Sequence, residues 1–191
     1  MSLRSKKILV GMTGGIACYK VPNVIRLLIK EEAEVQVVMT EAATRFVTPL
    51  TLESISQHPV AVQMFPSDEF VGTRHIDLAE WPDGILIAPA TANFLGKVAG
   101  GISDDLLTTI MCATKRPVLI APAMNPGMWS NKITQRNFKT ATEVLGWVSV
   151  GPDAGDMACE SSGMGRMSEP EAIFEAVMGL LSAKRGAKKK A

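Results

Sequence analysis

Few side chains in this chain can move a proton or hold a reacting group. His75 stands in Gly72-Thr73-Arg74-His75-Ile76-Asp77-Leu78, at the head of an apolar-periodic turn. An imidazole there can exchange a proton near neutral pH. Cys159 stands in the glycine-rich stretch Gly155 to Met167. The sequence reads that stretch as one long loop, and loops of that length in a tidy fold are commonly functional. A thiol on such a loop is available for chemistry. Asn125 follows Ala121-Pro122-Ala123-Met124 and precedes Pro126-Gly127; its amide can donate to a carboxylate and accept from an N–H. His58, before Pro59, reads as a surface residue. Cys18 and Cys112 read as small core fillers on helices.

The remaining candidates are backbone sites. Gly11-Met12-Thr13-Gly14-Gly15 lets backbone N–H groups approach an anion ahead of a helix N-terminus. It is neither G-x-G-x-x-G nor a P-loop with its lysine, so phosphate binding and a plain tight turn both stay open. Thr40, at the tip of a second apolar run, stands where a dinucleotide site expects an acid. That favours a mononucleotide. Ala88-Pro89-Ala90-Thr91-Ala92-Asn93-Phe94 and the Asn125 segment share a pattern: Pro at the strand exit, then small residues, then an amide. Small residues let a flat ring lie against backbone. For Asn93 a helix cap is an equal reading.

The elements that must carry these loops follow from the apolar runs. Strands are expected over 7–12, 34–39, 60–65, 84–88, 117–121 and 147–150. Helical segments lie between them, with a last helix over about 170–183. Strands apolar on both faces and alternating with helices form a parallel sheet covered on both sides. The expectation is a three-layer, doubly wound α/β fold, Rossmann-like or flavodoxin-like, with a mostly parallel six-stranded sheet. Ligands of such sheets bind beyond the carboxyl ends of the strands, which is where every loop above falls. One domain is expected over 1–183, with a solvated basic tail over 184–191.

Composition bounds the rest. Hydrophobic residues make up 47% and charged residues 20% of 191, which excludes whole-chain disorder. The net charge of +1 hides an asymmetry. Arg4, Lys6, Lys7, Lys184, Arg185, Lys188, Lys189 and Lys190 hold eight positive charges near the termini, leaving 12 basic against 19 acidic residues between them. An acidic body is a poor nucleic-acid binder. No apolar run reaches the ~18 residues of a membrane helix. Three cysteines without metal-ligand spacing point to a reducing, cytoplasmic compartment.

Taken in order, Thr13-Gly14-Gly15-Ile16-Ala17, His75-Ile76-Asp77-Leu78 with Trp81, Pro89-Ala90-Thr91-Ala92-Asn93, Pro122-Ala123-Met124-Asn125 with Met128-Trp129, and Ala158-Cys159 leading to Gly163-Met164-Gly165-Arg166-Met167 form an ordered set. With it the chain resembles the homo-oligomeric flavin-containing cysteine decarboxylases over roughly residues 5–180. Within that family the resemblance is to enzymes acting on phosphopantothenoylcysteine in coenzyme A biosynthesis.

The resemblance implies flavin mononucleotide (FMN) cradled by Gly14, Gly15 and Ile16, with Thr40 and Ala42 near its phosphate. Thr91, Ala92, Asn93 and Phe94 would continue the pocket and Ala123 would back the ring. It further implies His75 as the proton-transfer residue, Asn125 as the holder of the substrate carboxylate and Cys159 as the donor of the last proton. The implied reaction turns phosphopantothenoylcysteine into 4′-phosphopantetheine through thioaldehyde and enethiol intermediates, with no external electron carrier. Trimers, or four trimers together, are the implied assembly, with flavin sites at subunit contacts.

Glu160 directly after Cys159 departs from the family pattern. The synthetase half of the bifunctional relatives is absent from the chain, so the synthetase is expected as a separate or formerly fused partner. Alternatives are a peptidyl-cysteine decarboxylase of the lantibiotic-modifying type, which stops at the enethiol, and a flavin-binding regulatory subunit. A flavin prenyltransferase and a dinucleotide-dependent dehydrogenase are further ones.

Overall fold

The structure, a computed structural model, describes residues 3–66, 73–156 and 162–187. Its framework is a parallel sheet. Strand β1 (Lys7–Met12) leads through a 3₁₀ turn (Ile16–Lys20) into α1 (Val21–Lys30) and β2 (Glu34–Met39). Helices α2 (Pro49–Ser56) and α3 (Arg74–Glu80) precede β3 (Gly84–Ala90), and α4 (Ala92–Ala99) and α5 (Leu106–Ala113) precede β4 (Val118–Pro122). Then come α6 (Pro126–Ser130), α7 (Lys132–Lys139) with a π-helical continuation (Thr140–Val144), and the two-residue β5 (Val148–Ser149). Strands β6 (Asp153–Asp156) and β7 (Ser162–Arg166) form a separate antiparallel pair, and α8 (Pro170–Ala187) closes the chain.

The sheet order is β2-β1-β3-β4-β5, parallel throughout. Alternation along each strand sends residues to opposite faces. Ile8, Val10 and Met12 of β1, with Leu86 and Ala88 of β3, join a core with Val24, Leu28, Ile173 and Val177 of α1 and α8. Leu9, Ile85 and Ile87 join the other core with Phe94, Leu107 and Ile110 of α4 and α5. Each such Val, Leu, Ile, Phe or Met side chain contributes about 1.5–3 kcal/mol on full burial. These two cores are the three-layer arrangement expected from the sequence.

Three expectations differ from what is observed. The run 60–65 is not a sheet strand among the described residues: Ala61 alone bridges to Val38 at the edge of β2, and Phe65 is 80% exposed. An edge with one apolar neighbour on its inner side cannot bury an alternating run. The sheet therefore has five strands. The glycine-rich stretch carries the β6–β7 hairpin. Cys112, expected in the core, is exposed, because α5 buries Leu107, Thr108, Ile110 and Met111 and turns Cys112 outward. Cys18 is buried as expected. The last helix continues to Ala187, so the backbone of 184–187 is helical; 188–191 lie outside the described residues.

Candidate active site

A cleft of about 920 Å³ opens at the carboxyl ends of β1, β2, β3 and β4. That is near the upper end of ligand-site volumes, roughly 300–1,000 Å³. Gly14, Gly15, Ile16, Thr40, Ala42, Thr91, Ala92, Asn93, Phe94, Ala123 and Asn125 all line it. The sequence had scattered these residues over four loops. Their convergence follows from four parallel strands ending at one edge.

Thr13 binds the loops to one another. Its side chain is buried, and its Oγ1 donates to the Pro89 carbonyl at 2.6 Å. The same oxygen lies 3.0 Å from Thr91 Oγ1 and accepts from the Thr91 N–H at 3.1 Å. A register irregularity between Ile87 and Ala90 of β3 takes this stretch out of regular pairing, so the Pro89 carbonyl needs a donor and Thr13 supplies it. Thr40 caps the 3₁₀ turn Glu41–Arg45 by accepting from the Ala43 N–H, and its own N–H donates to the Met12 carbonyl at 2.9 Å. Thr91 caps α4 by accepting from the Phe94 N–H.

Glycine is required at 14 by close approach: a Cβ there would lie 2.5 Å from Ala42 Cβ. At Gly15 the backbone is extended (φ −162°), and a Cβ would stand against Thr91 and Pro89 on the cleft floor. Phe94 reaches the cleft from a ring packed in the core, 6.2 Å from Trp147. Cys18 lies beneath, its thiol donating to the Thr13 carbonyl at 3.2 Å, and burial pushes that thiol up from its ordinary pKa. With Gly14, Gly15, Ala17, Ala42, Ala92 and Ala123 around it, the floor is low and smooth, with threonine hydroxyls and a helix start at one side. Such a cradle fits a flat ring system with an anionic tail.

The opposite wall comes from the hairpin and α6. Asn125 caps α6, its Oδ1 accepting from the Gly127 N–H at 2.8 Å. The Met124 N–H donates to the Gly165 carbonyl at 2.9 Å, joining this loop to β7. Gly163 (φ +150°) brings β7 against Pro126. Lys20, only 8% exposed, donates to the Met167 carbonyl at 3.2 Å and to Glu169 Oε1 at 2.9 Å. Arg166 Nη2 pairs with the same oxygen at 3.2 Å. The hydrogen bond from Lys20 is the largest influence holding the Glu169 carboxyl below its ordinary range. Across the cleft, Lys97 sits between Asp104 (2.7 Å) and Asp105 (3.1 Å). The Asp104 hydrogen bond is the first cause of its raised pKa. Burial works to raise Asp105, but bonds from Thr108 and Lys97 outweigh it and hold that carboxyl low.

His75 does not line this cleft within one chain. It is half-buried near the start of α3. The end of α3 is tied to the start of β1: Lys7 Nζ lies 5.5 Å over the Trp81 ring, and the Asp83 N–H donates to the Lys7 carbonyl. Cys159 and Glu160 lie outside the described residues. His58 is half-buried beside Ser56. Among the described residues no cluster of His, Cys, Asp or Glu could hold a metal ion, and no helix is long and apolar enough to cross a membrane.

Sequence reasoning did not single out Thr13, Lys20, Lys97 or Glu169. The Asp105-x-x-Thr108 capping box was a readable signal beside the cleft. A lysine inside the apolar stretch Ala17-Cys18-Tyr19-Lys20-Val21 was another.

A family model described as Flavoprotein matches residues 1–182. The coenzyme A biosynthesis bifunctional protein CoaBC of Haemophilus influenzae is 48% identical over 185 residues, covering 97% of this chain and 46% of that protein. The chain thus spans about half the length of the curated relatives it matches. A solved cysteine-to-serine mutant of PPC decarboxylase, complexed with pantothenoylaminoethenethiol, is 34% identical, covers 92% of this chain and 97% of that one, and superposes with a TM-score of 0.81. The FMN-dependent cysteine decarboxylase SpaF is 32% identical over 95% of this chain and 98% of its own, also with a TM-score of 0.81.

Proposed function

The chain belongs to the Flavoprotein family, and from that premise we propose that it decarboxylates phosphopantothenoylcysteine to 4′-phosphopantetheine with FMN as cofactor, in a cytoplasmic coenzyme A pathway. The observation carrying this reading is the single cleft lined by Gly14, Gly15, Thr40, Thr91, Ala123 and Asn125. It joins a ring-sized small-residue floor to an amide suited to a carboxylate. The bifunctional relative supplies the pathway, and the two solved decarboxylases supply the reaction class.

When bound, the flavin supplies reversible two-electron chemistry at the cysteinyl carbon and sulfur. The protein's part is positioning and proton handling. The Gly14–Ile16 turn would cradle the flavin with Thr40 and Ala42 near its phosphate, Thr91 through Phe94 would continue the pocket, and Ala123 would back the ring. Asn125, whose Oδ1 accepts from the Gly127 N–H, would hold the departing carboxylate. His75 moves the substrate proton. Because His75 does not line the cleft of its own chain, it reaches a site as part of a homo-oligomer, a trimer or four trimers, in which one copy's α3 meets another copy's cleft. Cys159 delivers the final proton. Each positioned proton-transfer group is worth about 10²–10⁴-fold in rate. A phosphopantothenoylcysteine synthetase, separate or fused, would deliver the substrate.

The purified protein should be yellow and should convert phosphopantothenoylcysteine, by mass spectrometry, to a product lighter by CO₂ alone. A colourless protein that takes up no FMN overturns the reading. His75→Asn should keep the flavin spectrum and lose turnover by about 10²–10⁴-fold. Cys159→Ser, assayed in air so that oxygen reoxidises the flavin, should accumulate a product lighter by CO₂ and two hydrogens; saturated product from that variant removes Cys159 from the chemistry. A wild-type protein that itself stops at the oxidised product is instead the peptidyl-cysteine type.

A further inference from the structure

We infer that Lys20 and Arg166 form a receptor for a phosphate monoester at the hairpin side of the cleft, and that it takes the phosphate of the substrate rather than that of the cofactor. This rests on the function proposed above. Apart from Glu41, beside Thr40, the cleft's charged side chains divide into two groups. At one, Lys97 is paired with both Asp104 and Asp105, at 2.7 and 3.1 Å, so two carboxylates face one ammonium. At the other, Lys20 and Arg166 share the single carboxylate of Glu169, at 2.9 and 3.2 Å, so two cations face one carboxylate. A phosphate monoester, with nearly two negative charges at neutral pH, is drawn to the second group and repelled by the first.

The donors there are also incompletely used. Lys20 commits its ammonium to the Met167 carbonyl and Glu169, two bonds for a group with three donors. Arg166 Nε is buried and has no hydrogen-bond partner among the described residues. Its guanidinium rests over Gly155, where a Cβ would come within 3.1 Å of Nε. The side chain as a whole is 40% exposed, and the guanidinium's outward N–H groups can meet the two-oxygen face of a phosphate. The position suits the substrate. Arg166 is on β7 next to Gly165, whose carbonyl accepts from Met124, one residue before Asn125. The phosphate receptor and the carboxylate-holding amide are thus on strands and loops that are bonded to each other. The floor assigned to FMN, from Gly14 to Thr40 and Thr91, is on the sheet side.

The test compares holoenzyme kcat/KM for phosphopantothenoylcysteine with that for pantothenoylcysteine, which lacks the phosphate. Arg166→Ala should lower the ratio of the two values by about 10- to 100-fold, through KM, because a charge-assisted pair is lost. Arg166→Lys should recover part of it. Glu169→Gln should move the ratio the other way, by removing the competing carboxylate. A ratio unchanged by Arg166→Ala and Glu169→Gln overturns the inference while leaving the function standing. Flavin content that falls in Arg166→Ala at an unchanged ratio assigns the cations to the cofactor phosphate and overturns it too. If wild-type protein decarboxylates neither substrate, the proposed function fails and the receptor is read by calorimetry with inorganic phosphate: weaker binding in Arg166→Ala supports it, and no binding to wild type sinks it.

Discussion

On the sheet side of the cleft, Thr13 is 2% exposed and bonds to both Pro89 and Thr91, while Thr40 ties β2 to Met12. On the hairpin side, β7 is joined to the Asn125 loop by the Met124–Gly165 bond and to the body by Lys20, through Met167 and Glu169. The first wall centres on the buried, neutral Thr13 and is cross-bonded between strand ends that the cores already hold. The second is charged, partly exposed and carried on two strands outside the main sheet. A rigid floor suits a cofactor that stays. A wall held by ion pairs and a few backbone bonds suits a substrate that comes and goes, because locally stable and locally labile units can coexist in one domain.

The contrast can be broken most directly at Gly14. Gly14→Val pushes a side chain into Ala42, which a Cβ alone would already meet at 2.5 Å. FMN affinity, titrated by absorbance, should drop about 10- to 100-fold, the effect of 1–3 kcal/mol of overpacking. Thr13→Val keeps the volume and removes the bonds to Pro89 and Thr91. It should cost about 2 kcal/mol, a fall of about 4–8 °C in Tm by calorimetry. On the hairpin side, Gly163→Ala places a Cβ 3.2 Å from Pro126 at φ +150°. It should cost about 1 kcal/mol locally, raise KM for substrate and leave flavin content intact. Flavin lost in step with KM would erase the distinction between the walls.

The smallest effect concerns acid. Asp105 is held below its ordinary value of 3.8, so its contribution is complete above that pH and is lost as pH falls through the lowered folded value. Asp105→Asn keeps the cap but removes the Lys97 ion pair, and should lower stability at pH 7 by about 0.5 kcal/mol. The gap to wild type should shrink below pH 4 in melts run from pH 7 to pH 3.

The cofactor floor was legible because parallel strands impose one edge on all their loops, so Gly14, Thr40, Thr91 and Ala123 meet whatever their separation in sequence. The small residues then say what the floor can carry. The hairpin was not legible. Gly155, Gly163 and Gly165 disfavour a strand by propensity, and their positive φ values belong to a backbone shaped by Arg166 and Pro126, partners far off in sequence or on the other strand. Thr13 was invisible as an anchor because its partner is a carbonyl released by an irregularity in β3. The run 60–65 misled through its apolar content, Val60, Ala61 and Val62, which is real but meets only an outer edge. Lys20 shows the reverse case, a charge in an apolar run whose neutralising carboxylate at Glu169 lies 149 positions away.

That outer edge has its own consequence. Exposed strand edges are templates on which other chains can add. Here the Met39 N–H donates to the Ala61 carbonyl and the Ala61 N–H donates to the Val37 carbonyl, so the far flank of β2 is already occupied at its carboxyl end. At the other flank β5 offers only two residues before the chain turns at Gly151-Pro152. Both rims of the sheet are short or partly covered, which leaves little open edge for another strand to pair with.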